Sequence, residues 1–304
     1  MVLKSGLIGW KGNFNAVITP FAKDLSVDYR GFADNLEYLI GEGIDGLVVC
    51  GCTGEFWSLT DDERVELFRV AKKQVRGRVP VIGHVTHLMY QNALALTRAA
   101  NEVGLDGVLA QPPYAALPTE GEVIAYFEVL AAATDLPLLV YNVPKRHGYN
   151  LSPSLLNRLA GLPNVAGIKQ SSGDFMDVVE TVRLVDGKVR VYAGRSISRG
   201  VPSMVMGADG FVSSDDPQLL GREAVKLYGL VVDGRLGEAQ ELQMKCIALN
   251  KAIHDSLGTP PAALKAAMNL MGRPGGYPRP PILALNEYQV EQLAGVLRSF
   301  GLLR

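Results

Sequence analysis

Eight short apolar, β-branched runs recur along the chain, each followed by a stretch of helical periodicity. They are NAVITPF (15–21), DGLVVCG (45–51), VPVIGHV (79–85), DGVLAQP (106–112), LPLLVYNVP (136–144), VAGIKQ (165–170), VRVYAG (189–194) and DGFVSS (209–214). Runs that are apolar without alternation suit parallel strands buried on both faces. Segments such as DDERVELFRVAKKQV and YQNALALTRAANEVG repeat apolar residues at three and four, and Gly104 is a natural helix stop. Eight strand–helix units with right-handed crossovers close most simply into a (β/α)8 barrel. An open doubly wound sheet would call for G-x-G-x-x-G after the first strand, and the sequence has none there. After the eighth run the strand signal stops. The reading is a barrel over residues 1–224 and a C-terminal helical region over 225–304, with GRPGGYPRPP (272–281) as an irregular connection.

The composition sets the class of partner. A chain of 304 residues with 48% hydrophobic residues and a net charge of −1 can bury a large core and gives no electrostatic reason to bind nucleic acid or an anionic membrane. No run of eighteen apolar residues exists, and the opening MVLKSGLIGWKGNFN lacks an h-region, so neither a membrane span nor a signal peptide is expected. Three cysteines do not make a disulfide framework, and a reducing cytoplasm is the expected location.

In a barrel, chemistry sits at the C-terminal ends of the strands. Lys169 closes the sixth run. Burial disfavours its ammonium form and leaves a free amine able to attack a ketone and form an imine; the bland reading is a strand-end lysine reaching solvent. Ser171, Ser172 and Gly173 suit a polar turn, and Asp174 suits the cap of the next helix. Tyr141, at the mouth of the fifth run, can reach over Lys169 and carry a proton; otherwise it is a core tyrosine with a locally bonded hydroxyl. GCTGE (51–55) is a glycine-bracketed turn whose N–H groups and Thr53 hydroxyl can meet a carboxylate. Arg146 offers a fork to a second carboxylate. Ligands for a metal are too sparse: His84 and His87 lack an H-E-x-x-H frame, and Cys50 and Cys52 have no further partners, so no metal or other cofactor is expected beyond a covalent imine.

GCTGE, YNVPKRHG and GIKQSSGD, in that order on runs two, five and six, resemble the motifs of the dihydrodipicolinate synthase / N-acetylneuraminate lyase family, and the similarity covers nearly the whole chain. The resemblance implies a (β/α)8 barrel with a C-terminal helical extension, assembled as a homotetramer from two tight dimers. It implies that Lys169 forms a Schiff base with pyruvate or another 2-oxo acid and that Tyr141 moves protons at the imine. Tyr114 would complete a proton relay across a subunit interface. Thr53 with the GCTGE backbone would hold the 2-oxo acid's carboxylate, and Arg146 that of the second substrate. Cys52, Ser171 and Gly194 join the candidate substrate-binding set.

Four departures stand out. Cys52 replaces the hydroxyl residue that joins the two tyrosines, and a thiol is the weaker hydrogen-bond group. His147 replaces a threonine or serine and adds a titratable group beside Arg146. Arg195, Ser196 and Ile197 stand where sialate lyases carry acidic residues, and a bulky Phe56-Trp57 pair follows GCTGE. The expected activity is a class I lyase performing aldol cleavage or condensation, with a second substrate that differs from the synthase's. A Schiff-base dehydratase or deaminase of a 2-keto-3-deoxy sugar acid or hydroxyproline-pathway intermediate is the rival reading. A non-catalytic binding protein on the same barrel is the alternative of another class.

Overall fold

Consecutive parallel strands require a crossover each time, and the chain supplies one after every strand. A computed structural model describes residues 7–194, 196–254 and 257–304. The strands are β1 (Gly12–Ala16), β2 (Gly46–Val49), β3 (Val81–His84), β4 (Gly107–Ala110), β5 (Leu138–Asn142), β6 (Val165–Gln170), β7 (Arg190–Ala193) and β8 (Gly210–Ser213). They pair in sequence order, and β1 closes the barrel against β8. The barrel and its helical extension match the expected fold. The apolar runs are buried on both faces for different reasons. Phe14, Val48, Ile82, Leu109, Leu139, Tyr192 and Val212 fill the barrel axis, while residues such as Leu47, Val49, Val108 and Val140 pack outward against the helices.

Local signals place the helices. Thr60 and Thr119 each form a capping box, with Glu63 and Glu122, at the start of helices Asp61–Val75 and Glu120–Ala132. Gly104, at φ 75°, ends the helix Tyr90–Val103, and Asp174 caps Phe175–Val185 through Met176 N–H at 2.9 Å.

The first strand is displaced from its expected position. The run at 15–21 contributes only its first two residues to β1, which begins at Gly12. Val17 still donates to the Val48 carbonyl, but the Ile18 N–H turns to Gln218 Oε1 at 3.1 Å and Pro20 has no N–H to give. The segment is apolar because Ile18 packs into the C-terminal core with Leu219, Leu264 and Leu293. The boundary read at 224/225 falls inside the helix Arg222–Val232, which contacts β1. Beyond it, the helices Leu236–His254, Pro260–Leu270 and Glu287–Ser299 build the extension.

One buried ion pair joins this extension to the barrel mouth. Lys265 and Glu55 are 1% and 0% exposed and in direct contact, and Lys265 Nζ also donates to the Tyr277 carbonyl at 2.9 Å. Arg279 adds its backbone N–H to Glu55 Oε2 (3.3 Å) and a two-pronged contact to Glu63. Removing one member of a buried pair strands the other charge. Lys265→Met is therefore expected to lower the unfolding free energy by about 3 kcal/mol or more in a urea titration, and adding Glu55→Gln should restore part of it. An unchanged midpoint for Lys265→Met would show that the pair contributes nothing.

Candidate active site

Lys169 and Tyr141 meet because their strands are in register: β5 and β6 pair Tyr141 with Lys169, and β7 places Tyr192 on the lysine's other side. Lys169 is 6% exposed, and its Nζ stands 4.2 Å from the centre of the Tyr141 ring. Burial, with a smaller push from Arg146 against a pull from Cys52, brings its amine down from 10.5 to about 8. Tyr141 is held well above the usual phenol range, by burial first and then by Cys52. At neutral pH a minor but accessible fraction of Lys169 is therefore free amine, beside a protonated phenol.

Both side chains open onto a cavity of about 300 Å3, whose wall also includes Cys52, Thr53, Gly194, Ser213 and Asn250. The GCTGE turn reaches it through sharp backbone geometry. Cys50 and Glu55 adopt left-handed φ values of 57° and 55°. The Glu55 and Phe56 N–H groups are used inside the turn, whereas those of Thr53 and Gly54 have no acceptor among the described residues. Beside Lys169, the Ser171 hydroxyl is buried without a hydrogen-bond partner. Gly194 is held to glycine by this neighbour, because a Cβ there would collide with Ser171 Oγ.

Other candidates lie outside the cavity wall. Arg146 is exposed on the short turn Pro144–His147, its guanidinium 4.8 Å from the Trp57 ring centre. The Phe56-Trp57 departure therefore supplies the platform for that arginine. Tyr114 sits half-buried in the loop after β4, and burial raises its phenol pKa while Arg64 opposes the shift. His147 is not a titrating neighbour of Arg146. It turns inward, 2% exposed, its Nε2 accepting the Val143 N–H at 2.9 Å, and burial lowers it to about 4. His84 and His87 diverge, His84 being buried and His87 facing Asp61 at 3.8 Å. Among the described residues no group of three His, Cys, Asp or Glu is placed to hold a metal. Arg195 lies outside the described residues. Sequence reasoning missed Ser196, Ser198, Ser213, Ser214 and Asn250 in the wall. Asn250 had no signal to find it by, because it comes from the helix Leu236–His254, far from any barrel strand in sequence.

Comparison with known proteins gives one family. Residues 10–299 match the dihydrodipicolinate synthetase family. The 4-hydroxy-tetrahydrodipicolinate synthase of Oceanobacillus iheyensis is 33% identical over 286 residues, spanning 94% of this chain and 95% of that protein. The crystal structure of the Thermotoga maritima dihydrodipicolinate synthase superposes with a TM-score of 0.90 at 32% identity, covering 97% of this chain and 99% of that one. A monomeric dihydrodipicolinate synthase variant, also 32% identical, superposes with a TM-score of 0.90 over 96% and 97% of the two chains.

The lowered lysine has a direct test. Acetic anhydride, which has no titrating form, is attacked only by the free amine, so its second-order rate of modification at Lys169, mapped by mass spectrometry, is expected to rise with pH to a half-maximum near 8. A midpoint at the ordinary 10.5 would show that the barrel mouth leaves this amine unperturbed.

Proposed function

The chain belongs to the dihydrodipicolinate synthetase family of lyases, and we propose that it condenses a 2-oxo acid, pyruvate, with an aldehyde through an imine on Lys169. The observation that carries this reading is the buried Lys169 amine in register with Tyr141 at the wall of a cavity shared with Thr53. The free amine adds to the ketone carbon. Tyr141 protonates the departing hydroxyl, and the imine then acidifies the adjacent carbon for attack on the aldehyde. The unused N–H groups of Thr53 and Gly54, with the Thr53 hydroxyl, hold the carboxylate of the 2-oxo acid. Ser171, unpartnered and buried, offers a further donor, and Gly194 leaves room beside it. Arg146, steadied by Trp57, receives a carboxylate of the second substrate at the mouth. The covalent imine takes the place of a cofactor.

The relatives' synthase activity favours condensation over a dehydratase, a deaminase or a non-catalytic role. The inward turn of His147 removes one of the two sequence reasons for expecting a different second substrate. The other, Cys52, faces the reaction itself.

Two exposed apolar faces support a homotetramer. Leu88, Met89 and Leu117 are exposed on the segments after β3 and β4, the second of which bears Tyr114, and the tetramer would carry Tyr114 into a partner's site. A second groove of about 400 Å3, between Phe175, Val201, Val205, Met206 and Met244, lies on another face. The sparse cysteines, without a disulfide framework, support a reducing cytoplasm as its workplace, and no helix of the described residues is long and apolar enough to cross a membrane.

Incubation with pyruvate and borohydride is expected to add the reduced pyruvyl mass to Lys169. No adduct there with pyruvate or other 2-oxo acids would refute the imine. Tyr141→Phe should retain adduct but lose about 100-fold or more in turnover, and full activity would remove its proton role. Arg146→Ala should raise the KM for the second substrate while leaving that for pyruvate unchanged.

A further inference from the structure

The helix Ser196–Val205 follows β7 and brings three residues of its first turn, Ser196, Ile197 and Ser198, into the wall of the Lys169 cavity. A helix holds its turns by rungs that run from each N–H to the carbonyl four residues back. Two successive rungs of this helix depart from that pattern. Pro202 has no N–H to give to the Ser198 carbonyl. One rung earlier, the Gln243 side chain reaches across from the helix Leu236–His254. Its amide oxygen accepts the Val201 N–H at 3.0 Å, while its NH2 donates to the Ser196 carbonyl at 3.1 Å and to the Ile197 carbonyl. The Val201 N–H and the Ile197 carbonyl are the two ends of one rung, and the carboxamide bridges them.

These three contacts fix the amide's direction as well as its place. Turned over, it would set its oxygen against two carbonyls and its NH2 against an N–H. Gln243 is only 5% exposed, so water could not make good that loss. Gly200 gives the oxygen room, because a Cβ there would come within 3.2 Å of it. Because Pro202 removes the following rung, the bridge becomes the main tie between the wall residues and the turn after them.

We infer that Gln243 is a positioning residue: its inserted carboxamide sets where Ser196, Ile197 and Ser198 stand in the cavity. These three lie on the part of the wall that the 2-oxo acid, held at Lys169 and Thr53, leaves to the aldehyde. This rests on the condensation reading above. Loss of the bridge frees the first turn to move, and the aldehyde then meets a displaced wall while the imine forms as before.

Gln243→Met keeps the length of the side chain and loses both its donors and its acceptor. With pyruvate and succinic semialdehyde, an aldehyde that carries a carboxylate, the variant is expected to show an aldehyde KM raised about tenfold. Its pyruvate KM and its yield of borohydride-trapped Lys169 adduct should stay within about twofold of the unmodified enzyme. Amide exchange followed by mass spectrometry should be about tenfold faster in peptides covering 196–201 and unchanged in those covering β5 and β6. Equal rises in both KM values would make Gln243 a general support of the fold. Unchanged kinetics, or unchanged exchange at 196–201, would show that the first turn holds itself; each of these results overturns the inference. Gln243 also borders the outer groove of about 400 Å3, so sedimentation is run on both proteins. If the variant fails to fold or changes its oligomeric state, Gly200→Ala, which crowds the amide oxygen and does not line that groove, is read by the same comparison. Absence of adduct, or of turnover, in the unmodified enzyme would instead overturn the condensation, and this inference with it.

Discussion

A closed eight-stranded barrel excludes water from its own axis, and every polar group at its mouth lives under that constraint. Desolvation favours whichever form of a group is uncharged. The same burial that draws Lys169 toward the free amine keeps Tyr141 a phenol and His84 a neutral imidazole. These three states do not have to be arranged one by one. They follow from strand ends converging on one dry space, with the register of β5, β6 and β7 choosing which side chains enter it. Arg64 is the exception, a buried cation that stays charged because carbonyl oxygens from 84 and 86 replace its lost water.

Convergence of strands leaves the loops to be positioned separately, and here the C-terminal extension acts. The GCTGE turn carries left-handed non-glycine residues at both ends, a conformation that persists only where the surroundings over-determine it. Lys265 and Arg279 supply that determination by holding the Glu55 carboxylate from behind. The helix Leu236–His254 adds Asn250 to the cavity wall from the same side. The extension is thus part of the site's framework as well as a cover for the barrel's flank.

Much of this was legible in the sequence where the signal is local. β6 has the bounds read from VAGIKQ, Asp174 caps its helix, and Gly104 ends another. The strand-end rule pointed to Lys169, Tyr141 and Thr53, and the family resemblance added Cys52 and Gly194; all five line one cavity. What escaped depends on contacts between distant segments. Ile18 is apolar because helices more than 200 residues later cover it, so its run looked like strand. His147 looked like a surface titrating group because nothing local reveals that its ring folds back onto Val143 N–H. Glu55 with Lys265, Arg146 with Trp57, and Gln111 with Cys52 are pairs whose members come from separate elements, and no periodicity links them.

The comparison of burial with charge decides what sets the Lys169 amine. Arg146 also lowers it, but that side chain is exposed, so water and salt screen its field. Burial cannot be screened in the same way, and it is the leading cause. Arg146 therefore sits on its turn without setting the state of the Lys169 amine. Stacking the guanidinium on Trp57 keeps it at the rim, oriented but solvated.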